Sequence, residues 1–500
     1  MAGAFGAFGG NRFFAAAGFT ASGKPNLRFG VVSDIHITKV GASEKVAAWG
    51  NNLTFKHTLE WFRDQGVDAV VIAGDMADNG MVEQLEAVAQ AWYLVFPQDR
   101  YPDGRPIEKV FVIGNHDYHG YLYGDHAAKL YPDMAERVKH VLRSDFATRW
   151  KRIFNEDYTR FYCKKIKGYS FLGQHWDDGN GMETKYGTCD FGAELQTFID
   201  AQGRTLDPSL PFFYVQHPHP KDTCYGPWAW GHDNGKVTRA LCAFPNAIAF
   251  SGHSHYSLTD ERSIWQGAFT SVGTGSLRYT GMPYDECPPV GYENTPASAK
   301  DAWKYDAVKL MGRFSSGDCR QGMLWSVYYD CIVVKRREFL SDLDVGDDWV
   351  MPLPAAESKP FAVAEHAKKS HAPAFPNGAK PALTRVKAKN RGGKSCDGKE
   401  NVEAVEKDAV KVVVPAVVAD KNARLYKLEF VAEGDDGAKK TKLVMAEGFN
   451  HALSHAKASS ASFCIFAHDE LPASEVRFSV TPINCWGMRG KPIVSDIWRA

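Results

Sequence analysis

Five short blocks in this 500-residue sequence carry side chains able to hold transition metals: Asp34-Ile35-His36, Gly74-Asp75, Gly114-Asn115-His116-Asp117, His217 and Gly252-His253-Ser254-His255. Imidazole and carboxylate together suit zinc, iron, manganese or nickel and argue against a dedicated calcium cage. Asp34 and His36 lie two apart, so an extended backbone would project both to one side, where they can share a cation. The same arithmetic applies to His253 and His255, although in a turn after a strand they can fan toward two different ions. Two such ions about 3.5–4 Å apart activate water and clamp the oxygens of an in-line displacement. Asp75, central in the order of blocks, is the candidate for a carboxylate shared between them. Each block alone has an ordinary explanation as a turn, a polar loop or a hydrogen-bonded structural histidine. Five of them in order, each directly behind an apolar run, point to a metal centre.

The runs in front of the blocks read as strands. LRFGVV, DAVVIAG and KVFVIG are separated by helical text at 54–65 and 82–96, the βαβ alternation of a sheet covered by helices. Polar clusters just beyond the carboxyl ends of buried strands are where open α/β sheets bind ligands. KGYSFLG, PFFYVQHPHP and NAIAFSGHSH repeat the scheme. A polar stretch up to about Cys319 reads as a loop or lid, and GMLWSVYYDCIVVKRREF as a closing β-hairpin. Prolines 352, 354, 360, 373, 376 and 381 then mark an extended linker. Beyond it, ALTRVKAKN, VKVVVPAV, RLYKLEFVA, SFCIFAH and EVRFSVTPIN have strand composition spaced by turns, an all-β sandwich signal. The expected division is a tail over 1–26, a catalytic domain over 27–350, a linker over 351–382 and a β-sandwich over 383–500.

Composition narrows the partners. Lys plus Arg (59) balances Asp plus Glu (59), which leaves no broad basic footprint for nucleic acid. Aromatic and hydrophobic contents of 13% and 44% belong to a folded globular chain. The ten cysteines include no CxxC pair, so neither a zinc ribbon nor a thioredoxin-like motif is present. The apolar, Gly-rich start, MAGAFGAFGGNRFFAAAGFTASG, reads as the later part of an export signal, so a periplasmic or secreted location is expected, with a flexible tail on a cytoplasmic protein as the alternative. No run of 18 or more apolar residues follows, so no transmembrane segment is expected. GGKS at 392–395 lacks the first P-loop glycine, residue 388 being Ala, and is set aside as a basic loop.

Taken together, the blocks resemble those of the calcineurin-like metallophosphoesterases (D-x-H, G-D, G-N-H-D/E, H and G-H-x-H) over about residues 27–340. The resemblance implies a two-sheet β sandwich flanked by helices, here followed by the C-terminal all-β sandwich, whose closing VRFSVTPINCWGMRGKPI resembles a fibronectin type III-like module. It implies two divalent transition metal ions (manganese, iron, zinc or nickel) and hydrolysis of a small phosphate monoester or diester by a metal-bound hydroxide. Asp34, His36, Asp75 and His255 would bind one ion; Asp75, Asn115, His217 and His253 the other. His116 would face the substrate and assist the leaving group, with Asp117 orienting it. Purple acid phosphatases carry a tyrosine three residues after the bridging aspartate, where this chain has Asp78, so a charge-transfer purple centre is not expected. The segment 219–235 lies between two ligand blocks and should overhang the site; Trp228, His232 and Asp233, with Tyr118 and His119, are the candidate substrate contacts. The alternative is a non-catalytic binding or surface protein with a vestigial metal site, against which every ligand position is filled.

Overall fold

The computed structural model describes residues 23–38, 51–123, 126–176, 193–226, 229–283, 313–316, 319–389, 393–394, 401–402, 406–418, 422–446, 448–452 and 462–499. In chain order its first strands are β1 (Leu27–Val32), β2 (Ala69–Ala73), β3 (Glu108–Val112), β4 (Phe161–Ile166), β5 (Tyr169–Gln174), β6 (Phe212–Val215), β7 (Ala247–Ser251), β8 (Ile264–Gln266) and β9 (Thr270–Gly273). They are followed by β10 (Thr280–Pro283), β11 (Arg313–Ser316), β12 (Gln321–Val327), β13 (Cys331–Glu338), β14 (Leu343–Asp344) and β15 (Trp349–Pro352).

Side-chain alternation along β1 shows how the core is built. Leu27, Phe29 and Val31 are fully buried in one apolar cluster with Phe171, Phe213, Phe250 and Trp325, residues of β5, β6, β7 and β12. The Phe29 ring lies 4.8 Å from that of Phe213 and 5.2 Å from that of Phe171, both edge-on, a geometry that aromatic quadrupoles favour. Val32, on the other face, joins Phe55, Leu59 and Phe62 of the helix α1 (Asn51–Asp64) and Leu85, Val88 and Trp92 of α2 (Val82–Val95). Gly30 is on this helix side, where an added methyl would strike the Phe62 ring.

One sheet has the order β14-β13-β12-β1-β2-β3, with β15 also on β13; the other runs β4-β5-β6-β7-β9-β8. β1, β2 and β3 are parallel, as are β5, β6, β7 and β9. The result is a two-sheet sandwich with helices outside, and the hairpin expected from GMLWSVYYDCIVVKRREF is the antiparallel pair β12–β13. Residues 134–154 carry two short α-helices, Met134–Val138 and Phe146–Phe154, the second capped by Asp145, which accepts from the Thr148 amide.

The C-terminal residues form all-β sheets. Ala382–Lys389, Glu406–Val414 and Ser462–Ala467 make one, and Lys439–Met445, Leu425–Gly434 and Glu475–Asn484, with Ile493–Val494 and Trp498–Arg499 on its edge, make another. Val410, Val412, Phe430, Phe466 and Phe478 are buried between them. The proline-rich segment places Ala355 and Phe361 in the cluster between the two sheets of the sandwich and carries a short helix, Val363–Ala367. Among the described residues no helix is long and apolar enough to cross a membrane. The expected export signal, Trp228 and most of the expected loop before Cys319 lie outside the described residues.

Candidate metal centre

β1 ends at Val32, and the chain then turns sharply. Asp34 (φ 52°), His36 (φ 48°), Asp75 (φ 54°), His253 (φ 71°) and His255 (φ 56°) all adopt the left-handed backbone. Alternation on an extended strand is therefore not what brings Asp34 and His36 together, and that expectation is corrected. Cross-links between the strand ends hold these conformations: the Asp34 amide donates to the Gly74 carbonyl at 2.9 Å and the His36 amide to the Asp75 carbonyl at 3.0 Å. Each such residue stores about 1–3 kcal/mol, which persists only where the surroundings over-determine it. Gly74 (φ 90°) continues the pattern, and a methyl there would strike the His217 imidazole.

The loops converge in two donor sets that share one carboxylate. Asp34, His36, Asp75 and His255 form the first and Asp75, His217 and His253 the second, with the donor atoms of each set within 4.8 Å of one another. Asp75 Oδ2 lies 3.5 Å from His36 Nε2 and 3.0 Å from His217 Nε2; Asp34 Oδ1 lies 3.1 Å from His255 Nε2. Asn115 heads the short helix Asn115–His119 directly behind β3, and the adjoining His116 amide donates to Asp75 Oδ1 at 2.8 Å.

Three observations show that this cage fits divalent cations. Oδ1 of Asn115 is a buried atom without a hydrogen-bond partner among the described residues, an arrangement that costs free energy unless something else engages it, and Nε2 of His217 is buried facing the Asp75 carboxylate. His36 Nε2 and His255 Nε2 face each other at 3.0 Å, which aims two ring nitrogens at one point. Burial opposes protonation of His36 and His217, yet the adjacent carboxylates hold both up at about 9, while the same histidines keep Asp34 and Asp75 below the usual carboxylate range against burial. The pocket thus draws in positive charge. The outer nitrogens are also tied: His217 Nδ1 donates to the Ala73 carbonyl at 2.7 Å, which leaves Nε2 as the lone-pair atom of the neutral ring, and His36 Nδ1 meets Asp78 Oδ1 at 3.1 Å.

The remaining expected residues divide. His116 lies beside the cage, its ring 4.5 Å from that of His36, and its Nδ1 donates to the Asp78 carbonyl at 2.7 Å. Asp117 does not orient that ring. Its carboxylate accepts the amides of Met76, Ala77 and Gly114 at 3.2, 2.7 and 2.9 Å, clamping the Asp75 loop to the Asn115 loop. Tyr118 and His119 are corrected too: Tyr118 is buried and stacked on Phe146, and His119 is buried with Nδ1 at 3.3 Å from the Arg143 guanidinium. His232 Nε2 donates to the Cys224 carbonyl, and Asp233 accepts from Gln216 and from the amides of Lys221 and Gly235. Both hold the 219–235 segment in shape rather than offering polar atoms to a substrate.

Other side chains surround the cage. Trp230 lies over His253 at 4.5 Å between ring centroids, with Trp176 at 5.6 Å; Tyr279 lies 4.3 Å from His255, and Tyr123 4.7 Å from His116. Arg278 pairs with Asp78, which also meets His36. The signal for Trp176 was present in the sequence, because Gln174-His175-Trp176 follows the apolar run of β5 as the ligand blocks follow theirs. Nothing local marks Arg278 or Tyr279.

A cage assembled from strand ends of both sheets, with an aspartate common to two donor sets, is the setting in which the sequence match acquires meaning. Residues 27–257 match the family model described as calcineurin-like phosphoesterase. The chain contains a calcineurin-like phosphoesterase domain. Similar solved structures include a dimetal phosphatase from Danio rerio, at 13% identity over 66% of this chain and 99% of that one with a TM-score of 0.38. A purple acid phosphatase from yellow lupin (Lupinus luteus) seeds is 12% identical over 66% of this chain and 55% of that one, with a TM-score of 0.39. No curated protein matches the chain. In the phosphoesterase domain every block noted in the sequence reaches the cage, at the carboxyl ends of β1, β2, β3, β6 and β7.

Proposed function

We propose that the chain is a metal-dependent hydrolase of phosphate esters, and that Asp34, His36, Asp75 and His255 hold one divalent transition ion while Asp75, Asn115, His217 and His253 hold a second. The observation that carries this reading is the sharing of Asp75 between the two donor sets. When bound, such a pair of ions neutralises the charge of the phosphate and lowers the pKa of water toward neutrality. The chain's own residues supply the rest. Asp117 fixes the distance between the Asp75 and Asn115 loops through three backbone bonds. His116, with Nδ1 committed to the Asp78 carbonyl, keeps Nε2 as the atom that handles a proton or a phosphoryl oxygen at the leaving group. Trp176, Trp230 and Tyr279 bound the cage with apolar surface that restricts water.

The test is a panel of aryl phosphate monoesters and diesters assayed with manganese or zinc, beside Asp75→Asn and His116→Ala. Turnover should depend on metal, collapse in Asp75→Asn and fall in His116→Ala most steeply for esters with poor leaving groups. Wild-type turnover no greater than that of Asp75→Asn on every ester contradicts the proposal.

A further inference from the structure

A second group of metal-binding side chains lies away from the cage, where the C-terminal sheets meet the phosphoesterase domain. Cys319 stands two residues before β12 and Glu338 is the last residue of β13; the register Gln321↔Glu338 places these two strand ends side by side. His451 comes from the C-terminal domain, in the 448–452 loop. One donor atom from each of the three lies within 4.8 Å of the others, and Cys319 Sγ is 3.1 Å from His451 Nδ1. Cys319 and Glu338 are buried, and Cys319 carries a thiol rather than a disulfide.

The surroundings hold these donors in place. Arg424 Nη1 donates to the carbonyls of Phe449 and His451 at 3.0 and 3.1 Å, and Gln321 Nε2 donates to that of Asn450 at 2.7 Å. Glu338 Oε2 accepts the Ala452 amide at 2.9 Å and Oε1 accepts the Ser341 hydroxyl at 2.6 Å. The loop backbone is thus fixed on both sides of His451, and the Glu338 carboxylate is aimed by two hydrogen bonds, as the outer contacts of a metal ligand should be.

We propose that Cys319, Glu338 and His451 form a binding site for one zinc-class divalent ion that joins the two domains. Thiolate, imidazole and carboxylate are zinc's usual ligands, and bond lengths of about 2.3 Å to sulfur and about 2.0 Å to nitrogen in a tetrahedron separate S and N by roughly 3.5 Å. The observed pair needs to open by only a few tenths of an ångström. Binding releases the Cys319 thiol proton to solvent, and the +2 ion with one thiolate, one carboxylate and a neutral imidazole carries no net charge, which suits a buried place. Gln321 links this site to the loop behind His255, because its Oε1 accepts from the Leu258 amide at 2.7 Å and the Ser257 hydroxyl at 3.0 Å.

Cobalt(II) loaded into the full chain, reduced with a non-thiol reductant, tests the site, because the proposed catalytic cage contains no sulfur. A near-ultraviolet thiolate-to-cobalt charge-transfer band should appear in the wild type, persist in Asp75→Asn and vanish in Cys319→Ser, with one ion fewer per chain in that variant. His451→Gln should weaken cobalt binding at this band at least tenfold, which keeps the test open if Cys319→Ser does not fold. Absence of the band in cobalt-loaded wild type, its full retention in Cys319→Ser, or an unchanged affinity in His451→Gln overturns the site.

Discussion

At the scale of single residues the cage depends on close approaches that leave no room for a methyl group. Gly114 has an ordinary extended φ of −108°, so alanine would be tolerated by the backbone, but its Cβ would strike Asp75 Oδ1. The same methyl would meet the Asp75 backbone nitrogen and the His217 ring, so Gly114→Ala should lower the melting temperature and also lose about 100-fold or more in turnover, since misplacing a reacting group by about 1 Å has that effect. Circular dichroism melting beside phosphatase assays checks this. Asp78→Asn keeps the main-chain carbonyl that holds His116 but removes the charge facing His36 Nδ1 and Arg278. Its expected effect is a loss of about 10–100-fold in metal affinity, read by titration with manganese or zinc. The ligand blocks were legible in the sequence because their residue types are uncommon together and each follows an apolar strand. The manner of their convergence was not, since left-handed φ values at Asp34, His36, Asp75, His253 and His255 depend on bonds to distant loops. The same reason removed Tyr118, His119, His232 and Asp233 from the substrate contacts. Polar and aromatic side chains near a site look alike in sequence whether they face a ligand or hold their own loop.

At the scale of elements, the apolar runs LRFGVV, DAVVIAG, KVFVIG and their later counterparts appear as β1, β2, β3, β5, β6 and β7, because strands buried on both faces need continuous β-branched and aromatic residues. β4 escaped that reading, since FYCKKI is only partly buried at the sheet edge. Pairing was illegible as well: nothing local specifies that β12 joins β1 and thereby seals the inter-sheet core around Trp325. One junction between elements makes a pH prediction. His175, just beyond β5, accepts the Ile113 amide on Nδ1 at 3.1 Å and so anchors the end of β3 immediately before the Asn115 loop. Burial, helped by the Lys164 charge, pulls its imidazole down to about 3. Because the folded value lies below the ordinary 6.5, the unfolded chain takes up the proton first. The contribution is complete above pH 6.5 and is lost as the pH falls from there toward 3. His175→Phe should lower stability at pH 7 by roughly 1–3 kcal/mol through the orphaned Ile113 amide, and make unfolding less acid-sensitive within that window. Denaturant unfolding at pH 7 and pH 5 measures both.

At the scale of the whole molecule, the β-strand character of the C-terminal third was evident from its alternating runs; Leu425–Gly434, for instance, alternates buried and half-buried positions almost throughout. Its attachment to the phosphoesterase domain was not evident, because the contacts are single polar residues scattered over the sequence. Gln321 Nε2 donates to the Asn450 carbonyl at 2.7 Å, and Glu338 accepts the Ala452 amide at 2.9 Å. The proline-rich segment is held in the same way: Glu261 accepts from Arg336 Nη1 at 2.8 Å, Trp349 Nε1 at 2.9 Å and His366 Nε2 at 3.1 Å, binding β13, β15 and the helix of that segment together. Arg336 is almost fully buried, so Glu261→Ala leaves its charge with backbone carbonyls alone and should cost roughly 3 kcal/mol, visible as a lowered urea midpoint. The central claim, however, is that two ions share Asp75. Electron paramagnetic resonance of the manganese-loaded chain tests it most directly, since manganese favours oxygen and nitrogen donors over the thiolate of Cys319. The wild type should show the signal of an exchange-coupled manganese pair, and Asp75→Ala should lose it. A wild-type spectrum containing only isolated, uncoupled manganese, or none bound, would contradict the account.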